Sequence, residues 1–91
     1  MISCIVPAFN EEKWLPRTLD SLLDSVKQCE EEVEIIVVNN CSMDRTKEII
    51  LSYPKVRYAF YPVSGREGAK NHGAEISNGE TLCFFDADLI I

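Results

Sequence analysis

The segment Phe84-Phe85-Asp86-Ala87-Asp88 puts two acids two residues apart, directly after an apolar run. In extended backbone, residues i and i+2 point to the same side, so both carboxylates can face one ligand. Paired carboxylates repel a phosphorylated ligand unless a hard divalent cation takes oxygens from both. The competing reading is a solvated turn at a strand end, where Asp is common. Two further polar clusters also follow apolar runs: Pro7-Ala8-Phe9-Asn10-Glu11-Glu12 and Asn39-Asn40-Cys41-Ser42-Met43-Asp44. The glycine signatures that cradle phosphates, G-x-x-x-x-G-K-[ST] and G-x-G-x-x-G, are absent from these places, which disfavours a dinucleotide-dependent dehydrogenase. Gly65-Arg66-Glu67-Gly68 carries glycines but does not follow a strand directly.

Other reactive residue types read more plainly. Cys4, Cys29, Cys41 and Cys83 are scattered without a C-x-x-C pair, and His72 is the one histidine. A zinc site or disulfide framework is therefore disfavoured, and reduced thiols in a cytoplasmic setting fit better. His72 reads as solvated, Trp14 as a packing residue, and Glu30-Glu31-Glu32 as a solvated turn.

The elements that must position the polar clusters alternate in type. Ile2 to Val6, stopping at Pro7, and Glu34 to Val38 are nearly continuous apolar runs, as in strands covered on both faces. Val56 to Tyr61, between prolines, suits a strand nearer an edge, with Tyr58 and Phe60 packed on a helix. Thr81 to Phe85 forms the fourth run. Leu15, Leu19, Leu22, Leu23 and Val26 recur on one helix face, with Pro16 in the first turn. Ser42 is the expected N-cap of a second helix that buries Ile49, Ile50 and Leu51 and ends at Tyr53-Pro54. A third helix is expected from Glu67 to Ser77, with Gly79 as its stop. The order β-α-β-α-β-α-β predicts an α/β fold, a parallel β-sheet with helices on both faces. The polar clusters then share the rim at the carboxyl ends of the strands, where such sheets bind ligands.

Size and charge bound the function. The chain has 91 residues, 46% of them apolar, and a formal net charge of −6, which makes one folded domain at most. The acidic balance argues against nucleic acid and against an anionic membrane surface. No apolar run approaches the roughly 20 residues of a membrane helix, and the start lacks the basic region of a signal peptide.

Val6-Pro7-Ala8-Phe9-Asn10-Glu11-Glu12 resembles the opening motif of the family 2 glycosyltransferases. Glu34 through Thr46 resembles their second strand and nucleotide loop, Gly68-Ala69-Lys70-Asn71-His72-Gly73 their Ala-Arg-Asn-x-Gly segment, and Gly79 through Asp88 the approach to their D-x-D motif. The resemblance covers almost the whole chain. It implies the Rossmann-like half of a GT-A fold, a UDP- or GDP-sugar donor, and a Mn²⁺ or Mg²⁺ ion. By the same resemblance, the loop of Pro7, Phe9 and Glu11 wraps the base and ribose, Asn40 stands where an Asp usually reads the base, and Lys70 approaches the nucleotide. Asp86 meets the ribose or the metal's water, and Asp88 holds the metal. Asn39-Asn40-Cys41 departs from the family's acidic second loop, which leaves the donor base open.

Family members continue into an acceptor-binding half that supplies the catalytic base. Residues 1–91 are therefore expected to be a truncated donor-binding half, with no catalytic residue of their own and little transfer in isolation. The apolar Leu89-Ile90-Ile91 is expected to drive self-association into homo-oligomers. Alternatives are a non-catalytic nucleotide-binding or interaction module on the same half-fold, and a nucleotidyltransferase-like domain, whose Gly-rich basic first loop is missing.

Overall fold

The computed structural model describes residues 1–87. Asp88, expected to hold the metal, and the Leu89-Ile90-Ile91 end, expected to drive self-association, lie outside the described residues.

The element order is β1 (Ile2–Ala8), α1 (Leu15–Lys27), β2 (Val33–Asn39), α2 (Thr46–Leu51), β3 (Val56–Phe60), α3 (Arg66–Ile76) and β4 (Thr81–Phe84). The four strands form one parallel sheet in the order β3-β2-β1-β4. The chain thus builds outward from β1 to β3 and then returns to the other side of β1. Both faces are covered. Cys4, Val6, Ile35 and Val37 pack against Leu15, Leu19 and Leu22 of α1 and Ile50 of α2. Ile5, Ile36, Val38 and Ala59 pack against Ala69 of α3. Burying a side chain such as Leu19 stabilises by about 1.5–3 kcal/mol. Gly73 lets α3 come close: a Cβ there would lie 2.5 Å from Ile5 Cγ2 and 3.1 Å from Val38 Cγ2. Within the core, burial first and then the nearby Cys83 thiol push the Cys4 thiol up to about 11.

At the amino ends of the strands, Glu34 is a structural node. Its Oε2 accepts hydrogen bonds from the Ser3 hydroxyl and the Asn78 N–H, each at 2.6 Å, and Arg57 lies 3.7 Å from its Oε1. Burial alone would raise this carboxyl's pKa. The bonds from Ser3 and Asn78 and the charge of Arg57 outweigh that and hold it below the ordinary value.

Several local expectations are corrected. β1 does not stop before Pro7 but runs through it to Ala8, with Pro7 in register with Val38. Ser42 does not cap α2, which begins at Thr46, because its hydroxyl serves the loop after β1 instead. Leu51 is exposed while Ile50 is buried and Ile49 packs partly against the core, since three successive helical residues sweep about 200° and one buried stripe cannot cover them all. Tyr58 packs into the core, but Phe60 at the sheet edge is 49% exposed. Gly79 is not a helix stop. α3 ends at Ile76, and Gly79 is needed because a Cβ would meet Ser3 Oγ at 2.4 Å. His72 is half-buried, its ring stacked on Tyr61 at 5.4 Å. Glu30, Glu31 and Glu32 are exposed, as expected. Among the described residues, no helix is long and apolar enough to cross a membrane.

Candidate functional site

The reversal of strand order between β1 and β4 creates the opening, and Pro7 explains why the strands part there. Ile2 N–H donates to Glu32 O and Ala8 O accepts from Asn40 N–H, so the even residues of β1 bond toward β2. Ile5 O accepts from Phe85 N–H, so the odd residues bond toward β4. Pro7 therefore faces β4 with no N–H to offer. The ladder ends at Ile5↔Phe84, and the chain leaves the sheet into Asp86-Ala87. The Thr18 hydroxyl then donates to the Ala87 carbonyl at 2.7 Å, a buried bond that fixes the turn holding Asp86.

The loop after β1 is locked to the loop after β2. Asn10 N–H donates to Ser42 Oγ at 3.0 Å, Glu11 N–H to Thr46 Oγ1 at 2.9 Å, and Glu12 N–H to Asp44 Oδ2 at 3.2 Å. In return, Met43 N–H donates to Asn10 Oδ1 at 2.7 Å. Two of these bonds hold Asn10 at φ 50°, in the left-handed region that asparagine tolerates better than most residues, and Cys41 in the facing loop has φ 62°. Burial would raise the Asp44 carboxyl. Bonds from the Thr46 hydroxyl and amide and from the Glu12 amide instead hold it low.

A third strap comes from Asn40, which is buried. Its Nδ2 donates to the carbonyls of Tyr61 at 3.1 Å and Val63 at 2.8 Å, and its Oδ1 accepts the Gly65 N–H at 3.0 Å. Gly65 has φ 135°, a conformation that needs glycine, and immediately precedes α3.

Together these loops enclose a cleft of about 260 Å³. Pro7, Ala8, Phe9 and Glu11 form one side, and Ser64, Gly65 and Arg66 the other. Asp86 and Ala87 close the β4 side, and Asn40 lies at the base. Phe9 is 51% exposed, leaving its ring face available to a planar ligand. Arg66 lies 3.4 Å from Asp86 Oδ1, with both side chains largely in solvent. Such an exposed pair contributes only about 0–1 kcal/mol.

Of the residues singled out in the sequence, Pro7, Phe9, Glu11, Asn40 and Asp86 meet at this cleft. Lys70 does not line it. Its Nζ lies 3.6 Å from Glu67 and 6.0 Å from the centre of the Phe84 ring. Arg66, one helical turn earlier, takes the place at the cleft, and the sequence reading missed it. The available signal was Gly65 directly before a helix, which brings the next residue to the rim.

Among the described residues, no three His, Cys, Asp or Glu side chains gather into a ready cage for a metal. A carboxylate such as Asp86, open to a polar cleft, nevertheless suits a hard cation. Mg²⁺ in particular is held by one or two carboxylates together with ligand phosphates rather than by an all-protein cage. The residues present fit an ion shared with a bound ligand.

The family profile described as "Glycosyl transferase family 2" matches residues 3–91. The chain belongs to this family. It is 39% identical, over 96% of its length, to dolichyl-phosphate beta-glucosyltransferase ALG5A of Trichomonas vaginalis. It spans 30% of that relative's length. S. aureus TarS 1-349, solved in complex with UDP-GlcNAc, matches with a TM-score of 0.74 and 28% identity, over 96% of this chain and 26% of that TarS fragment. Glucosyl-3-phosphoglycerate synthase of M. tuberculosis, solved with Mn²⁺, UDP and phosphoglyceric acid, matches with a TM-score of 0.72 and 27% identity, over 99% of this chain and 34% of that one. The sheet of this family 2 chain is thus the Rossmann-like part of a GT-A fold.

Proposed function

We propose that this family 2 chain binds a nucleotide-sugar donor, UDP- or GDP-linked, together with Mn²⁺ or Mg²⁺, in an enzyme that transfers the sugar with inversion to an acceptor. The observation that carries the proposal is the convergence of Phe9, Glu11, Arg66 and Asp86 on one cleft at the reversal of strand order. Relatives solved with UDP-GlcNAc and with Mn²⁺ and UDP support it.

In this reading the loop from Pro7 to Glu11 receives the base and ribose, with the Phe9 ring against the base. Asn40 sets the shape of the facing loop. Asp86 and Asp88 hold the cation, which when bound supplies positive charge to the departing diphosphate. Lys70 stands one turn behind Arg66 and adds positive charge on the same side. Asp44 is bonded into the loop lattice and is not assigned as the base that deprotonates the acceptor. Four scattered free cysteines suit a reducing compartment such as the cytoplasm.

Isothermal titration with UDP and with GDP, each with and without Mn²⁺, tests the proposal. One nucleotide is expected to bind in a metal-dependent way, and Asp86→Ala to remove the metal dependence. Absence of binding by both nucleotides under all conditions would overturn it.

A further inference from the structure

We infer that Arg66 is a further ligand-binding residue of the cleft, and that it exchanges Asp86 for the ligand's diphosphate when a divalent cation occupies Asp86. The inference rests on the donor-binding reading and adds the residue that recognises the ligand's charge.

Among the described residues that line the cleft, Arg66 is the cation, and Glu11 and Asp86 are the acids. A diphosphate entering this space would be repelled by both carboxylates. Arg66 lies 3.4 Å from Asp86 and cannot serve two anions equally well. A divalent cation on Asp86 resolves the conflict, because it neutralises the carboxylate and frees the guanidinium. The planar fork of five N–H donors then matches two phosphate oxygens.

The surroundings suit such an exchange. The backbones that carry the two side chains are fastened: Gly65, just before Arg66, by Asn40 at 3.0 Å, and Ala87, just after Asp86, by Thr18 at 2.7 Å. The side chains themselves are 63% and 49% exposed, so swapping partners requires only rotamer changes. Lys70 is poorly placed for this task, since its ammonium group sits by Glu67 and the Phe84 ring.

The exchange has consequences of opposite sign. Arg66 competes with the metal for Asp86, so removing Arg66 should tighten Mn²⁺ binding while weakening nucleotide binding. Neutralising Asp86 should free Arg66 and tighten UDP binding without metal. A residue with only a structural role would not produce this pattern.

The test is titration of wild type, Arg66→Ala, Arg66→Lys and Asp86→Asn with UDP, GDP and Mn²⁺, following free Mn²⁺ by electron paramagnetic resonance and nucleotide by calorimetry. For Arg66→Ala, nucleotide affinity in the presence of Mn²⁺ should fall about tenfold to a hundredfold, the usual worth of a charged hydrogen bond. Its affinity for Mn²⁺ alone should rise roughly twofold to fivefold, the worth of an exposed ion pair. Arg66→Lys should keep part of the nucleotide affinity, and Asp86→Asn should bind UDP without metal roughly twofold to fivefold more tightly. If wild type binds nucleotide and Arg66→Ala binds it equally well, or loses Mn²⁺ and nucleotide together, this inference alone falls. If wild type binds neither nucleotide, the donor-binding reading falls and takes this inference with it.

Discussion

Asn40 Oδ1 accepts the Gly65 amide at 3.0 Å, so a side chain at the end of the second strand fastens the entry to the third helix. The same side chain donates to the carbonyls of Tyr61 and Val63. All of its polar atoms therefore shape the far wall of the cleft. The resemblance gives this position a base-reading role; the geometry gives it a bracing one. Asn40→Asp decides between them. A carboxylate facing two carbonyls loses both donated bonds, and the change should cost about 1–3 kcal/mol. UDP and GDP binding should weaken with it. Thermal melting equal to wild type, with nucleotide binding retained or improved, would favour the base-reading role.

Glu34 makes the fold sensitive to acid. Its pKa is lower in the folded protein than the ordinary value near 4.5, so its contribution is complete above that pH. The contribution is lost as pH falls through the folded pKa, because the protonated group gives up Arg57 and weakens its bonds to Ser3 and Asn78. Asp44 is also held low and adds loss in the same direction. Chemical denaturation between pH 7 and pH 3 should show stability falling on the acid limb. For Glu34→Gln that acid limb should be shallower, with lower stability at pH 7 by about 1–3 kcal/mol. An identical limb in the variant would contradict this account.

Gly73 tests how tightly the third helix sits on the sheet. An alanine methyl would meet Ile5 Cγ2 at 2.5 Å, and Ile5 is fully buried with little room to move. Gly73→Ala should gain helix propensity yet still destabilise by about 1–3 kcal/mol through overpacking. Urea denaturation measures it, and a stabilised variant would show a looser contact.

The cysteines should differ in reactivity. The Cys4 thiol is pushed up to about 11 and buried, whereas Cys29 is exposed. At pH 8 a thiol reagent should label Cys29 rapidly and Cys4 only on unfolding. Mass spectrometry of labelled peptides reads the order, and early labelling of Cys4 would contradict the buried position.

The sheet and its helices were legible in the sequence because burial leaves a period. Leu15, Leu19 and Leu22 mark a helix face, and Ile35 to Val38 mark a strand covered on both sides. The convergence of three polar loops on one rim followed from parallel strands alone. What the sequence did not show depends on contacts between distant residues. Ser42 resembles a helix cap but bonds Asn10, and Gly79 resembles a helix stop but makes room for Ser3. Arg66 and Lys70 are both basic and one turn apart on one helix. Their order along the chain cannot say which reaches Asp86; the start of the helix relative to Gly65 does.

Metal and nucleotide are expected to share the cleft between the loop after β1 and the turn after β4. In ¹H–¹⁵N correlation spectra, adding UDP or GDP with Mg²⁺ should shift the amides of Phe9, Glu11, Gly65, Arg66 and Asp86. Substituting Mn²⁺ should broaden signals outward from Asp86. Broadening centred elsewhere, as around Glu34 or Phe60, or spectra unchanged by either addition, would contradict this placement.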